Sequence, residues 1–409
     1  MLVYINILSN IESMVKHAFN KKLLEFAYLL SHSKKLLQPK EMTEMLNSQG
    51  NNVTERTVRR WLNSLRRHGF QYYPYPRYES FGLNLVILTA WNVKNNALLS
   101  ILPYRSYIAE GFEFNNNSKC NIIFYTIPEG HLSSFKAFWE QAKKSKLIDN
   151  YDIHMPNASI NIYSPLHKIL DNNGNFVDAD FEHGEHSFEL LEKSMKKEYP
   201  ASIHPHIKKN PILLPLAFEM NRNFNSISNI SRSLRKNLGK SAVQYHPAGI
   251  TSGKIKDGLN AFEQNFDELF QQMKIIYDPL YSGENITLHL MLDLKPDVKL
   301  GELTRKISKY AVKTIVYPSR DNSRRAVFYI LTNQKNITRI FMNVISDSIK
   351  LDGKNHYIWQ SYEESKNKFW KTQDDLRFKY HEHFDPKSMS WKYDHSAYMS
   401  ALRSLPKLS

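Results

Sequence analysis

Cysteine is almost missing from this 409-residue chain, where Cys120 stands alone. An intrachain disulfide and a cysteine-based zinc finger are therefore both excluded, and a reducing cytoplasm is the expected location. Long apolar runs are also missing: no segment approaches the ~18 uninterrupted apolar residues that a transmembrane helix needs. The opening MLVYINILSNIESMVKHAF has no basic stretch ahead of its apolar residues and breaks at Asn6 and Ser9, so neither a signal peptide nor an anchor is expected and no membrane partner follows. Glycine, at 14 residues, and proline, at 17, are too scarce for a collagenous or low-complexity chain. No Walker loop, dinucleotide fingerprint, G-x-S-x-G elbow or H-E-x-x-H occurs. His381, Glu382, His383 and Asp385 form the nearest approach to a catalytic cluster, and two metal ligands do not make a site. No catalysis, no cofactor and no metal site are expected.

Acidic residues are in deficit as well, 40 against 55 lysines and arginines, a formal charge of +15. That excess calls for a polyanionic partner, nucleic acid before an anionic surface. An apolar content of 42% with 12% aromatics is enough for globular cores, and the length allows two to four domains.

The stretch that says most about function is Val53 to Gly69, VTERTVRRWLNSLRRHG. Thr54 can cap a helix, Val53 can staple onto Val58, and Gly69 stands where the helix would end. At 100° per residue Val58, Trp61, Leu62 and Leu65 share one face, and Arg56, Arg59, Arg60, Asn63 and Arg67 gather opposite, with Arg66 beside them. Clustered arginines repel one another unless an anion is near, and arginine binds phosphate oxygens or guanine edges bidentately. Upstream, Leu23 to Leu30 and Gln38 to Leu46 read as two helices, the second with Pro39 in its first turn. Downstream, FQYYPYPRY is extended because Pro74 and Pro76 exclude helix, and Tyr75 and Arg77 suit a wing on a phosphate backbone. The result is a winged helix-turn-helix over 1–80.

Beyond it, Leu83 to Val93, Tyr107 to Phe114, Lys119 to Thr126 and Leu147 to His154 read as strands, and Ala97 to Leu102 and Leu132 to Lys144 as helices. This β-α-β-β-α-β order is the ferredoxin-like split unit, over 81–165. The order then returns about 200 residues later. Pro211 to Met220, Ser226 to Leu234 and Ser241 to His246 read as a second, degenerate helix-turn-helix over 210–283. In it Thr57, Val58, Arg59 and Arg60 align with Ala242, Val243, Gln244 and Tyr245, and Pro247 cuts the third helix short. Asn285 to Leu294, Val312 to Tyr317 and Arg325 to Thr332 as strands, with Leu300 to Lys309 and Ile337 to Ile345 as helices, make a second split unit over 284–352. The expected fold class is α+β, two winged helix-turn-helix domains alternating with two ferredoxin-like ones.

That pairing resembles the leucine-responsive regulatory protein (Lrp/AsnC) family of transcription regulators, on the element order and on TERTVRRWLNSLRRHGF. The resemblance implies duplex DNA as partner, a small-molecule effector, and a homodimer or a pseudo-dimeric monomer. The family's Gly-x-x-Asp turn is replaced here by FEFNNNSKC and SRDNSRR, a departure at the place that bears on an amino-acid effector.

Residues 166–209 read as an acidic, polar linker, helical from Ser187. Asp180, His183, Glu185 and His186, with His204 and His206, carry metal-binding chemistry, but no two of these histidines have i,i+4 spacing, which favours plain solvated residues. Residues 353–409 form an aromatic, basic extension expected to pack on the second sheet. The leading function is a sequence-specific, duplex-DNA-binding transcription regulator. A replication initiator with tandem winged helices stays open, as does an RNA-binding protein using Phe124, Tyr125, Phe328 and Tyr329 on the sheets.

Overall fold

The computed structural model describes residues 21–31, 33, 37–67, 71–114, 117–169, 185–196, 200–223, 227–239, 242–245, 251–276, 285–321, 324–350, 352–361 and 380–406. The architecture is mixed α+β, built on a large antiparallel sheet. Three helices come first: α1 (Lys21–Ser31), α2 (Pro39–Ser48) and α3 (Glu55–Arg67). Strand β1 (Gln71–Pro76) follows, then β2 (Leu83–Trp91), a short helix α4 (Leu98–Ile101), β3 (Arg105–Glu113), β4 (Lys119–Pro128), α5 (Leu132–Lys144) and β5 (Asn150–His154). A further strand β6 (Ile160–Tyr163) leads to α6 (Leu166–Ile169), α7 (Glu185–Lys196) and α8 (Pro205–Lys209).

The second half runs α9 (Leu213–Asn223), α10 (Ile227–Leu238), α11 (Ala242–Tyr245), α12 (Ser252–Gln264), α13 (Phe266–Leu269) and β7 (Phe270–Ile276). Then come β8 (Asn285–Asp293), α14 (Leu300–Ser308), β9 (Lys313–Pro318), β10 (Arg325–Asn333), α15 (Gln334–Ile340) and β11 (His356–Ser361). Among the described residues no helix is long and apolar enough to cross a membrane.

The main sheet has nine strands in the order β5-β2-β4-β3-β11-β8-β10-β9-β6. Within it each half contributes four strands in one relative order, its own fourth, first, third and second. The halves join where Phe112 pairs with Trp359 and Glu113 with Ile358. Strand β11 lies within the stretch assigned from sequence to the C-terminal extension; its lone β-branched residue, Ile358, left it without the β-branched signal of the other strands. At this seam a side chain on Gly111 would stand 2.7 Å from the Trp359 carbonyl, so the close approach requires glycine there.

The sheet curls so that its two halves face each other. Phe124 meets Tyr317 with ring centroids 5.4 Å apart, the Thr89 hydroxyl donates to the Met291 sulfur at 3.2 Å, and Arg325 pairs with Asp152. The outer faces are covered by helices: α5 buries Phe135, Phe138 and Trp139 against Tyr125, and α7 and α14 bury Leu191, Leu303 and Ile307 against Leu290 and Phe328. The four residues named for RNA stacking form no exposed platform: Tyr125 and Phe328 lie under helices, and Phe124 and Tyr329 pack between the halves.

The C-terminal residues also lie elsewhere than expected. Helix α17 (His395–Ser404), preceded by α16 (Tyr380–His383), β12 (Phe384–Asp385) and β13 (Ser390–Trp391), packs on α4 and α5 of the first half, not on the second sheet. The Trp391 indole donates to the Phe81 carbonyl at 2.7 Å, and Tyr393 stacks on His131 at 4.6 Å. In the HEHFD cluster, Asp385 accepts from the Lys387 amide, and the His383 ring lies 5.3 Å from Tyr104.

Below the helical heads, Glu79 is 2% exposed, with Arg320 Nη2 3.4 Å away; its backbone carbonyl accepts from Ser202. Burial pushes this carboxyl up to about 7, outweighing its own backbone hydrogen bond and the Arg320 and Arg77 guanidiniums. The folded chain therefore holds the proton longer than the unfolded chain. Stability is unaffected below the ordinary carboxyl range and is lost as pH rises from about 4.5 to about 7, by roughly 3–4 kcal/mol. Urea unfolding of Glu79→Gln and wild type should show the variant gaining that much relative stability between pH 4.5 and 8. A difference that does not change with pH would contradict this account of the carboxyl.

Candidate nucleic-acid interface

Helix α3 forms because Thr54 caps it and nothing in ERTVRRWLNSLRR breaks it. The Thr54 hydroxyl accepts from the Thr57 amide at 3.3 Å, and its carbonyl accepts from Val58 at 3.0 Å. The turn ahead of it is tied by Asn47, whose side chain accepts from the Val53 amide at 2.9 Å and donates to the Val53 carbonyl at 3.1 Å. Gly50, at φ 85°, ends α2 in the left-handed conformation that glycine adopts freely. Helix α2 starts at Pro39, with Glu41 accepting from the Gln38 amide at 2.6 Å.

One face of α3 is locked into the head. Val58, Leu62 and Leu65 are buried, and Trp61 lies half-buried with its ring 5.5 Å from Phe26 of α1. Each fully buried aliphatic side chain contributes about 1.5–3 kcal/mol, so the helix is fixed in rotation as well as in place. Arg56, Arg59, Arg60 and Asn63 are exposed on the other side. Arg59 is held by Glu55 one turn back, Nε to Oε1 at 2.9 Å, a pair exposed enough to exchange for a phosphate at little cost. Arg66 and Arg67 belong to the helix, but their side chains, like Gly69, lie outside the described residues.

Tyr75 and Arg77 do not join this face. Strand β1 is no wing: it pairs antiparallel with β7, from Gln71 opposite Ile276 to Pro76 opposite Phe270. Tyr75 is buried against Tyr78, and Arg77 is buried with its guanidinium on the Asp267 carbonyl at 3.3 Å. Neither side chain is exposed for contact with a phosphate backbone. The prolines of QYYPYP excluded helix as expected, but a paired strand, not a hairpin wing, took their place.

The β1–β7 pair also corrects the alignment of the two halves. Because α3 leads into β1 and α12 into β7, the counterpart of α3 is α12, not the four-residue α11 that the match to Ala242–Tyr245 selected. The sequences agree once set this way: Thr54 with Thr251, Val58 with Ile255, Leu62 with Leu259, Asn63 with Asn260 and Leu65 with Phe262. Thr251 caps α12 through the Lys254 amide at 3.3 Å, as Thr54 caps α3. Ile255 and Phe262 are buried, as Val58 and Leu65 are. Gly258 replaces Trp61, and a side chain there would strike Leu216 of α9 at 2.5 Å. The charges differ at four of the five arginine positions. Where α3 has Arg56, Arg59, Arg60, Arg66 and Arg67, α12 has Gly253, Lys256, Asp257, Glu263 and Gln264. The repeated T-x-x-x-[VI]-x-x-x-L-N spacing was the sequence signal that would have found it.

In the linker, Asp180 and His183 lie outside the described residues, as do the side chains of Glu185 and His186. His204 bonds the Glu268 carboxylate at 2.7 Å and stacks on His206, which ties α8 to α13.

No protein-family model and no curated protein matches the sequence. Two solved structures resemble the chain, both of the siroheme decarboxylase NirDL, one in complex with an iron-uroporphyrin III analogue. The first is 11% identical with a TM-score of 0.38, covering 83% of this chain and 90% of that one. The second is also 11% identical, with a TM-score of 0.36 and coverage of 81% and 92%. The expected membership of the Lrp/AsnC regulators is thereby corrected, since no family model matches and the similar structures carry an enzyme's name. The expectation of no catalysis falls with it: the missing motifs are motifs of other enzyme classes, and their absence does not exclude chemistry.

The rotation of α3 is directly testable. Leu65→Ala should lower stability by about 2–5 kcal/mol in denaturant unfolding, while Asn63→Ala should leave it within about 0.5 kcal/mol. The opposite ranking would mean that the helix is turned the other way.

Proposed function

We propose that this chain is a sequence-specific regulator that binds duplex DNA, with α3 as its recognition helix in a helix-turn-helix head. The two heads and the two four-strand units act as a dimer of helix-turn-helix and ferredoxin-like pairs fused into one chain. The observation that carries this reading is the contrast between α3 and α12, which share cap, buried stripe and exposed asparagine but not charge. A structural requirement would have preserved the frame, as it does in both. Five arginines on one copy need another cause, and a polyanion supplies it.

In this reading Arg56, Arg59 and Arg60 contact phosphates or guanine edges, and Asn63 is placed to pair with adenine from the groove side. A chain with one full-strength reader covers one half-site. Two copies of the chain would then be needed to span half-sites about one helical turn apart.

The test uses the full chain and fluorescence anisotropy with a genomic duplex over a series of salt concentrations. Arg56→Ala, Arg59→Ala and Arg60→Ala combined should weaken binding at least 100-fold and reduce the log–log salt slope by about 2–3, since each phosphate contact contributes about 0.9. Lys254→Ala with Lys256→Ala on α12 should weaken it less than 5-fold. Wild-type affinity in the arginine variant, with unchanged melting, would refute the assignment.

A further inference from the structure

The inner face of the second half holds a group of polar side chains that packing alone does not explain. His289 on β8 is 1% exposed, and neither ring nitrogen has a hydrogen-bond partner among the described residues. Thr287 is two residues along the same strand, so it shares that face, and its hydroxyl is likewise buried and unpartnered. Gln360 of β11 lies directly opposite Thr287 in the ladder, with its Oε1 buried and unpartnered. A buried polar group left unpaired costs about 1–3 kcal/mol, and three of them adjoin here on one face of one sheet.

The surroundings define what would satisfy them. Tyr329, cross-strand from His289, stands edge-on to the imidazole at 4.9 Å, and Ile358 flanks it on the other side. The charged groups of this face are engaged at its margins: Glu113 with His356 at 2.8 Å, Arg325 with Asp152, and the Lys313 ammonium over the Tyr163 ring. Desolvation holds His289 down at about 3, so it is a neutral imidazole with one donor and one acceptor. An ion entering this face would lose its hydration with no counter-charge to meet it.

We propose that His289, Thr287 and Gln360 form a binding site, between the two halves of the sheet, for a small uncharged molecule with adjacent hydrogen-bond donor and acceptor groups, of the carboxamide or nucleobase kind. The site lies away from α3 and stands whether or not that helix reads DNA. Its ligand would bridge β8 and β11, the strands next to the seam between the halves.

The probes are nicotinamide and adenine, titrated into the full chain without DNA, with the ¹⁵N shifts of the His289 imidazole and isothermal calorimetry as readouts. At least one should bind saturably at one site per chain and move both His289 nitrogens. Thr287→Val, which keeps shape and removes the hydroxyl, should weaken that binding about 10-fold without lowering the melting temperature, and His289→Phe should abolish it. Benzoate, matched in size but charged, should not bind. The proposal is overturned if neither probe binds, if binding survives in His289→Phe, or if benzoate binds equally well. It is also overturned if Thr287→Val and His289→Phe only raise stability with no change in probe binding, because the side chains would then be an unliganded polar cluster.

Discussion

The antiparallel pairing of Gln71–Pro76 with Phe270–Ile276 is the contact on which the rest of the molecule depends. It joins the ends of the two helical heads across about 200 residues of chain, and the heads are interlocked around it: α1 packs on β7 and α9 packs on β1, each helix lying on the other head's strand. Phe218 of α9 meets Phe81 at 5.4 Å, just beyond β1. A two-stranded ribbon alone is marginal in water. Covered on both sides by reciprocal helices, it becomes the axis that sets α3 and α12 in corresponding positions.

The same doubling governs the sheet. Strand β11 pairs with β8 of its own half on one side and with β3 of the first half on the other, and at the far end the bridge between Pro156 and Ser319 brings the chain after β5 alongside the end of β9. The seam leaves no bare edge between the two halves, which removes one liability of an open sheet. Equivalent halves in one chain are also free to diverge, as separate copies of one sequence are not. The cationic helix on one side, the neutral one on the other and the polar cluster confined to the second half's inner face are three consequences of that freedom.

Much of this was legible in the sequence because the period of the apolar residues is a local signal. The buried stripe of Val58, Leu62 and Leu65, the strands around Val86 and Phe328, and helix Leu132–Lys144 all followed from it. What failed depended on partners distant in sequence. Tyr75 and Arg77 looked like wing residues because nothing local reveals a strand partner 200 residues on. The neutral composition of α12 hides a frame identical in spacing to that of α3. Strand β11 was missed because HYIWQS holds one β-branched residue, Ile358, and its burial comes from the seam. The polar face of His289, Thr287 and Gln360 was invisible, because three residues on two strands become neighbours only through register.

Helices α3 and α12 share one frame and differ in charge, and on our proposal only α3 lies in a DNA groove. Asn63 and Asn260 are the matched, exposed positions on which to test it. A photo-crosslinking residue placed at one or the other in the full chain, irradiated with duplex DNA at a fixed salt concentration, reports which helix lies in the groove. The account predicts strong crosslinking from position 63 and at most background from position 260. Equal crosslinking from both, or a yield from 260 exceeding that from 63, would contradict it.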